Sequence, residues 1–352
     1  MKVLVSSRAE NPYIELLYGS LQKQGVEVDY LKVNIQTLLL FPIIFLLKRL
    51  QGYHIFHVHW LNCSVKESYP FSRQISFMLS MYCLVSLKLT GFKVIWTVHN
   101  VVPHEPQTSN DAAVSRYLSR LATVKIVHSR YTLKQMKELG LDTQNTHVIP
   151  HGNYLGVYPD GISPTQARSN LHIKRDEFVI LFFGLIRPYK GIDDLLSVFA
   201  RLPQDKTRLV IVGKCTDAAL RNEILAAQKA GQVDFYDAYV PDKNVATYFN
   251  ACDVVCLPFK AITTSGSALL ALSFGKSLVA PRTGALLDFP QTVGYLYDVR
   301  QATALETNLR QAVDEPVTVR AMGASAKAYA HSLSWDKIGA KTFKLYQATL
   351  CK

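Results

Sequence analysis

Two cations three positions apart, Arg187 and Lys190, stand in the stretch Phe183-Gly184-Leu185-Ile186-Arg187-Pro188-Tyr189-Lys190-Gly191. A guanidinium fork and an ammonium point charge held this close suit a phosphate or a diphosphate, although two solvated loop cations would read the same way. A second run, Ile262-Thr263-Thr264-Ser265-Gly266-Ser267, brings hydroxyls and backbone N–H groups to the start of the apolar helical segment Ala268–Leu272. That is the composition of an anion cradle, and also of a plain Ser/Thr helix cap. Gly213-Lys214 closes a further apolar run, and Tyr239-Val240 stands at the end of a later strand. Gly184, Arg187, Lys190, Gly213, Tyr239, Val240, Thr263, Thr264, Ser265, Gly266 and Ser267 therefore make up one candidate ligand site.

Histidine forms the other constellation: His59-Trp60, His99-Asn100, His104-Glu105, His128-Ser129 and His151-Gly152. A lone histidine is usually structural, but five at the ends of similar segments ask for a role. They would suit a zinc cluster, which the absence of HExxH spacing disfavours. Glu105 and Glu10 are carboxylates placed to take a proton from a hydroxyl nucleophile, with His104 beside Glu105. Other phosphate chemistries lack their motifs. There is no GxxxxGK[ST], since Gly213-Lys214 runs into Cys215, no strand–GxGxxG–helix, and no DxD to hold a divalent metal.

These residues need a scaffold of strand ends. Phe178–Phe183 is wholly apolar and short, the pattern of a buried parallel strand, and Ile192, Leu195, Leu196 and Phe199 follow at helical spacing. The first half alternates similarly: Lys2–Ser7, a helix through Leu21, Val26–Leu31, then Tyr53–Trp60 with apolar residues on one side and histidines on the other. Arg73–Leu89 is helical, Lys93–His99 a strand, Lys125–Val127 a strand, and His147–Pro150 runs into His151-Gly152. Tyr154–Arg175 lacks periodicity and reads as a linker. Beyond it come Arg208–Gly213, a helix from Asp217, Val233–Tyr239, a helix around Val245–Asn250, Asp253–Leu257, a helix after Gly266, Ser277–Ala280, Tyr295–Asp298, and a last helix Trp335–Leu350. Regular alternation of strand and helix predicts an α/β protein of two parallel, doubly wound domains facing a cleft.

At 352 residues, 49 % of them hydrophobic, the chain is long enough for two cores. The formal charge is +12 and is denser at the front: residues 1–150 hold 16 Lys and Arg against 9 Asp and Glu. A basic surface suits nucleic acid, anionic membrane or anionic substrate; no arginine-rich or aromatic RNA-binding signature is present, so no nucleic-acid partner is expected. Six cysteines without CxxC spacing, and an opening strand where a secretion signal would lie, read as thiols of a reducing compartment. Leu38–Leu47, ending in Lys48-Arg49, and Ile75–Leu89 are too short or too interrupted to cross a bilayer. The first could dock on anionic headgroups or serve as an ordinary core helix.

The motifs FGLIRPYKG, HVHW, TVHN-VVPHE, IPHGNY and TTSGSALLALSFGKSLVAP resemble GT-B glycosyltransferases of the family 4 and family 94 type, especially the β-mannosyltransferases of xanthan-like exopolysaccharide assembly. The likeness spans Asn11 to Gly275, and the Trp335 helix fits too. It implies two Rossmann-like domains: 1–160 binding the acceptor, completed by a crossing-back helix 335–352, and 161–334 binding the nucleotide-sugar donor. It implies Arg187 and Lys190 on the donor diphosphate and His99 on the donor sugar. One departure is informative. Retaining family 4 members carry a glutamate pair where this chain has Ile262 and Leu270, which favours inversion and an acceptor-side base, Glu105 first, then His104 and Glu10. The expectation is metal-independent transfer of a hexose, mannose from GDP-mannose, to a polyprenyl-diphosphate-linked oligosaccharide, by a peripheral protein on the inner face of the plasma membrane with no resident cofactor. The alternatives are a retaining family 4-type enzyme using a UDP-sugar, a nucleotide-sugar epimerase or hydrolase, and a silent binding protein that keeps the fold.

Overall fold

The computed structural model describes residues 1–6, 12–31, 40–60, 71–101, 111–231 and 233–351. The chain divides into two units, Met1–Gly152 with Trp335–Lys352, and Asn153–Ser334.

The first unit has six strands, β1 (Lys2–Val5), β2 (Glu27–Tyr30), β3 (Tyr53–Val58), β4 (Lys93–Val98), β5 (Val124–Val127) and β6 (Thr146–Val148), all parallel in the order β2-β1-β3-β4-β5-β6. Parallel pairing requires crossovers, and helices provide them: α1 (Pro12–Gln22), α2 (Phe41–Leu50), α3 (Ser72–Leu89), α4 (Asp111–Leu121) and α5 (Arg130–Glu138). The pleat sends alternate residues to opposite faces, so Leu4 of β1 joins Phe41, Phe45, Phe56, Leu84 and Leu87 in one core. Its neighbours Val3 and Val5 join Tyr13, Ile14, Leu17 and Tyr18 in the other.

The second unit repeats the scheme with β7 (Phe178–Phe183), β8 (Thr207–Val212), β9 (Val233–Tyr236), β10 (Val254–Cys256), β11 (Ser277–Pro281) and β12 (Gly294–Tyr297). Its order, β9-β8-β7-β10-β11-β12, reverses direction between β7 and β10. That switch point opens a crevice beyond the strands' carboxyl ends. The helices are α6 (Pro164–Asn170), α7 (Ile192–Phe199), α8 (Ala218–Lys229), α9 (Asp242–Ala251), α10 (Gly266–Ser273), α11 (Ala304–Asp314) and α12 (Pro316–Ser332).

The last helix, α13 (Trp335–Leu350), belongs to the first unit, as its sequence implies, and contributes Ile338 and Tyr346 to the core it shares with α1. Ser20 donates to the carbonyl of Trp335 at 2.9 Å, and a Cβ on Gly339 would stand 2.2 Å from the same hydroxyl, so only glycine admits this approach.

One expectation needs correction. Tyr154–Arg175 is no linker but part of the second unit, where Asn153 Nδ2 donates to Ala330 O and Tyr154 N to Ser273 Oγ. Inside it Ser163 caps α6 through a reciprocal box with Gln166. Arg168 then donates to the carbonyls of Ala251, Lys174, Arg175 and Glu177 and pairs with Asp253 at 2.7 Å. The break falls after Gly152 rather than 160. β3 is the expected strand with histidines on one side, and that side is covered as well: His57 is fully buried and His59 2 % exposed, because α1 and α13 pack over it. None of the described cysteines is bridged; Cys83, Cys215, Cys252 and Cys256 are buried and Cys351 is exposed, while Cys63 lies outside the described residues.

Candidate active site

The loops after β7 and β10 meet at the switch point. After β7, Gly184 (φ 134°) and Gly191 (φ 73°) take backbone conformations that glycine alone adopts freely. Between them Arg187 leads a single 3₁₀ turn, Pro188–Lys190, and α7 begins at Ile192. A Cβ on Gly191 would stand 2.0 Å from the carbonyl oxygen of Pro258 in the β10 loop. The two loops are clipped together: Lys260 N donates to Tyr189 O at 2.9 Å, and the Lys260 ammonium pairs with Asp193 and Asp194 in the first turn of α7.

Lys190 lies in this seam, half-buried, with its Nζ 4.6 Å from the centre of the Phe259 ring and 5.3 Å from that of Tyr189. Among the described residues it has no carboxylate partner. Burial without a counter-ion pulls its ammonium down to about 8. Lys214, by contrast, is committed: Asp237 holds it at 3.3 Å together with Arg221 at 2.6 Å, and also accepts from Cys215 N. Those contacts keep the Asp237 carboxyl below its usual range, the Cys215 backbone bond being the largest cause.

Gly213 (φ 149°) follows β8 as Gly184 follows β7, and its missing Cβ would lie 1.8 Å from the Gly184 carbonyl oxygen. The hydroxyl of Ser267 sits where a Gly184 side chain would go, at 2.6 Å. Gly184, Gly213, Tyr239 and Val240 thus line one cavity of about 190 Å³ with Tyr158 and Phe183, and Tyr239 is 75 % exposed at its edge. Whole-ligand pockets run to roughly 300–1,000 Å³, so this cavity suits one moiety, such as a base.

In the hydroxyl run, Ser265 accepts from Ala268 N at 3.1 Å and so caps α10, the plainer of its two readings. Thr263 is buried, and its carbonyl accepts from Ala285 N. The Thr264 Oγ1 is buried without a partner, and Gly266 is exposed at the helix start. Ile262 and Leu270, where a glutamate pair would otherwise stand, are each 6 % exposed, apolar members of the core.

In the first unit the histidines gather at the carboxyl ends of β3 to β6. The Tyr13 ring meets His59, His99, His128, His151 and Trp335, with centroids 4.8–5.6 Å apart. Trp60 stacks on His99 at 4.2 Å and 12°. His128 Nδ1 donates to Ile149 O at 3.0 Å and its Nε2 is buried without a partner. His151 Nδ1 donates to Gly152 O. Desolvation lowers His57 and His151 to about 3 and His128 to about 4. The same cause, with neighbouring histidines, lowers His59 and His99. The rings are therefore neutral, bonded to tyrosines, backbone and one another. Among the described residues no three His, Cys, Asp or Glu side chains are grouped to hold a metal ion. Glu10, His104 and Glu105 lie outside the described residues.

Sequence reasoning missed Phe259, Ser267's contact with Gly184, and Tyr18 and Tyr346 beneath the histidines. The apolar run Pro258-Phe259 after β10 carried the only signal for any of them.

A parallel sheet in this order, with glycine-bearing cationic loops at its switch point, has the arrangement in which open α/β sheets bind ligands. Residues 164–329 match the family described as Glycosyl transferases group 1. Over the whole chain the fold is that of GT-B glycosyltransferases, and the family match makes the second unit similar to a glycosyl transferases group 1 domain. The chain is 27 % identical over 348 residues to the GDP-mannose:glycolipid 4-beta-D-mannosyltransferase of Xanthomonas campestris pv. campestris, covering 97 % of this chain and 89 % of that one. To the D-inositol 3-phosphate glycosyltransferase of Segniliparus rotundus it is 25 % identical, over 84 % of this chain and 68 % of that one. Its fold matches sucrose-phosphate synthase from Thermosynechococcus elongatus with a TM-score of 0.79 at 18 % identity, over 99 % of each chain. It matches Anabaena HepE in complex with UDP at 0.75 and 16 %, over 99 % of this chain and all of that one.

Proposed function

We propose that this protein transfers mannose from GDP-mannose, with inversion and without a metal, to a polyprenyl-diphosphate-linked oligosaccharide during exopolysaccharide assembly. The observation that carries the donor half is Lys190: a half-buried ammonium without a carboxylate, in the seam of two loops at the switch point, waiting for an anion. Arg187, the start of α7 and the hydroxyl of Thr264 complete a diphosphate clamp, and the cavity at Tyr239 and Val240 takes the base. The Xanthomonas relative's name supports mannose and a glycolipid acceptor. Apolar Ile262 and Leu270 support inversion, since the carboxylates of the retaining pattern are replaced by core residues. The base then comes from Glu105, His104 or Glu10.

The acceptor's lipid calls for a membrane seat, and α2 and α3 supply it. Of nineteen exposed large hydrophobics among the described residues, eleven fall between Leu40 and Leu89. One face of α3 is inverted: Ile75, Met78, Tyr82 and Val85 face out, while Ser72, Ser76, Ser80 and Ser86 are buried beside the core residues Cys83, Leu84 and Leu87. Ser76, Ser80 and Ser86 donate to the carbonyl four residues back, which satisfies their hydroxyls inside. Such a helix suits an apolar exterior. Lys48 is paired with Asp29, so headgroup contact falls to Arg49 and Lys88. No described helix is long and apolar enough to cross a membrane.

Thermal-shift screening with GDP, UDP and ADP, then NMR of the anomeric product, tests the reading. GDP should stabilise most and the product should be β. An α product would overturn inversion, and stabilisation by UDP alone would overturn the donor.

A further inference from the structure

The turn that opens the second unit carries two tyrosines. Val157 N donates to Tyr154 O at 3.2 Å and closes the turn, and the rings of Tyr154 and Tyr158 lie 6.4 Å apart. Helix α10 holds Tyr154 at both of its ends. In its last turn the hydroxyl of Ser273 accepts from Tyr154 N at 2.9 Å. At its first residue, Tyr154 Oη lies 3.3 Å from the position a Cβ on Gly266 would take. The side chain, 9 % exposed, therefore brings its hydroxyl to the N-terminus of α10.

Tyr158 lines the small cavity with Gly184, Gly213, Tyr239 and Val240. That cavity and the start of α10 adjoin each other. Gly184 belongs to the cavity wall, and the hydroxyl of Ser267, next to Gly266 in the chain, stands 2.6 Å from the Cβ position of Gly184. A nucleoside diphosphate with its base in the cavity passes Gly184 and brings its outer phosphate to the start of α10, where free N–H groups and the positive end of the helix dipole meet it.

We propose that this turn is a third donor-holding element beside the β7 and β10 loops: Tyr154 donates a hydrogen bond to the outer phosphate, and the ring of Tyr158 covers the base. The assignment rests on the donor reading above and adds two residues to it. Burial, and then the neighbouring Tyr158, pushes the Tyr154 phenol above its ordinary range, so it stays a donor. As the bond between the anomeric carbon and the phosphate oxygen breaks, its electron pair passes to that oxygen. A fixed O–H beside it meets the growing charge and keeps its own proton. Phenylalanine fills the same space and leaves that charge one donor short.

Calorimetry with GDP and GMP separates the outer phosphate from the rest of the nucleotide. Tyr154→Phe should weaken GDP about tenfold and leave GMP as in the parent, because GMP has no phosphate at that position. Tyr158→Ala should weaken both by the same factor. The GDP-to-GMP ratio is internal to each variant, so a loss of stability does not mimic the result. Were Tyr154 a packing residue, the two affinities would move together; equal losses, or an unchanged GDP affinity, overturn the inference. A parent that prefers UDP calls for the same comparison with UDP and UMP, and the inference stands or falls on that ratio while the guanine reading is lost. A parent that binds no nucleoside diphosphate more tightly than its monophosphate overturns the donor reading, and this inference with it.

Discussion

The side chain that Gly191 lacks would place its Cβ 2.0 Å from the carbonyl oxygen of Pro258. That contact sets how closely the β7 and β10 loops approach, and so where Lys190 sits. Gly191→Ala meets a positive φ of 73° and a backbone atom that cannot rotate away. The expected cost is about 3 kcal/mol or more of stability, read as a lower urea midpoint, with weakened GDP binding. An alanine variant with unchanged midpoint and affinity would show the seam to be plastic.

Lys190 gives the donor site a pH signature. Its folded pKa, about 8, lies below the ordinary lysine value because it is buried without a counter-ion. Between pH 8 and 10.5 the unfolded state holds a proton that the free native state lacks, so its contribution to stability rises with pH across that window. Nucleoside diphosphate binding works the other way, since the anion needs the ammonium. Calorimetric affinity for GDP should be level up to pH 8 and fall about tenfold per pH unit just above it. Lys190→Arg should bind without that fall, because a guanidinium stays charged. Arg187→Ala should reduce turnover at least tenfold, the loss of one donor to developing charge being about 2.7–4 kcal/mol.

The strand ends and both donor loops were legible because their signals are local. Six apolar residues, a glycine, a proline and an acidic first turn mark the β7–α7 unit without reference to anything distant. Arg168 was not legible, since its partners Ala251 and Asp253 lie more than 80 positions away. Helices α11 and α12 were passed over between Asp298 and Trp335. The buried side of α12 is Val319, Gly323, Ala326 and Ala330, small residues with little hydrophobic periodicity, and Gly323 is small because the Gly275 carbonyl would lie 2.4 Å from a Cβ there. The histidines were visible as a set, but their burial depended on Tyr18 and Tyr346, supplied by helices that do not follow them.

The same burial makes the first unit acid-labile. His57 at about 3, His128 at about 4 and His151 at about 3 are depressed by desolvation, against about 6.5 when unfolded. Below pH 6.5 the unfolded chain binds protons that the native one refuses, so stability is lost as pH falls from 6.5 towards 4. At pH 5 each contributes a loss of about 2 kcal/mol, against a total domain stability of about 5–15 kcal/mol. All three tryptophans, Trp60, Trp96 and Trp335, belong to this unit, so their fluorescence reports it alone. The urea midpoint by tryptophan emission should drop steeply between pH 6.5 and 5. A flat midpoint would mean the rings titrate freely.

The inverted face of α3 makes membrane seating separable from catalysis. Leu46 and Met78 are 54 % and 65 % exposed, so acidic replacements there disturb no core. Moving both into a lipid interface removes apolar area worth about 1.5–3 kcal/mol per side chain at full burial. The double change Leu46→Glu with Met78→Glu forfeits that gain and adds two charges that anionic lipid repels. Co-sedimentation with phosphatidylglycerol-containing vesicles should weaken at least tenfold, while GDP affinity, set in the other unit, stays as it was. Lys88→Glu should reduce only the salt-sensitive part, about 1 kcal/mol per basic residue near the surface. Equal sedimentation of the double variant and the parent would move the lipid contact away from α2 and α3.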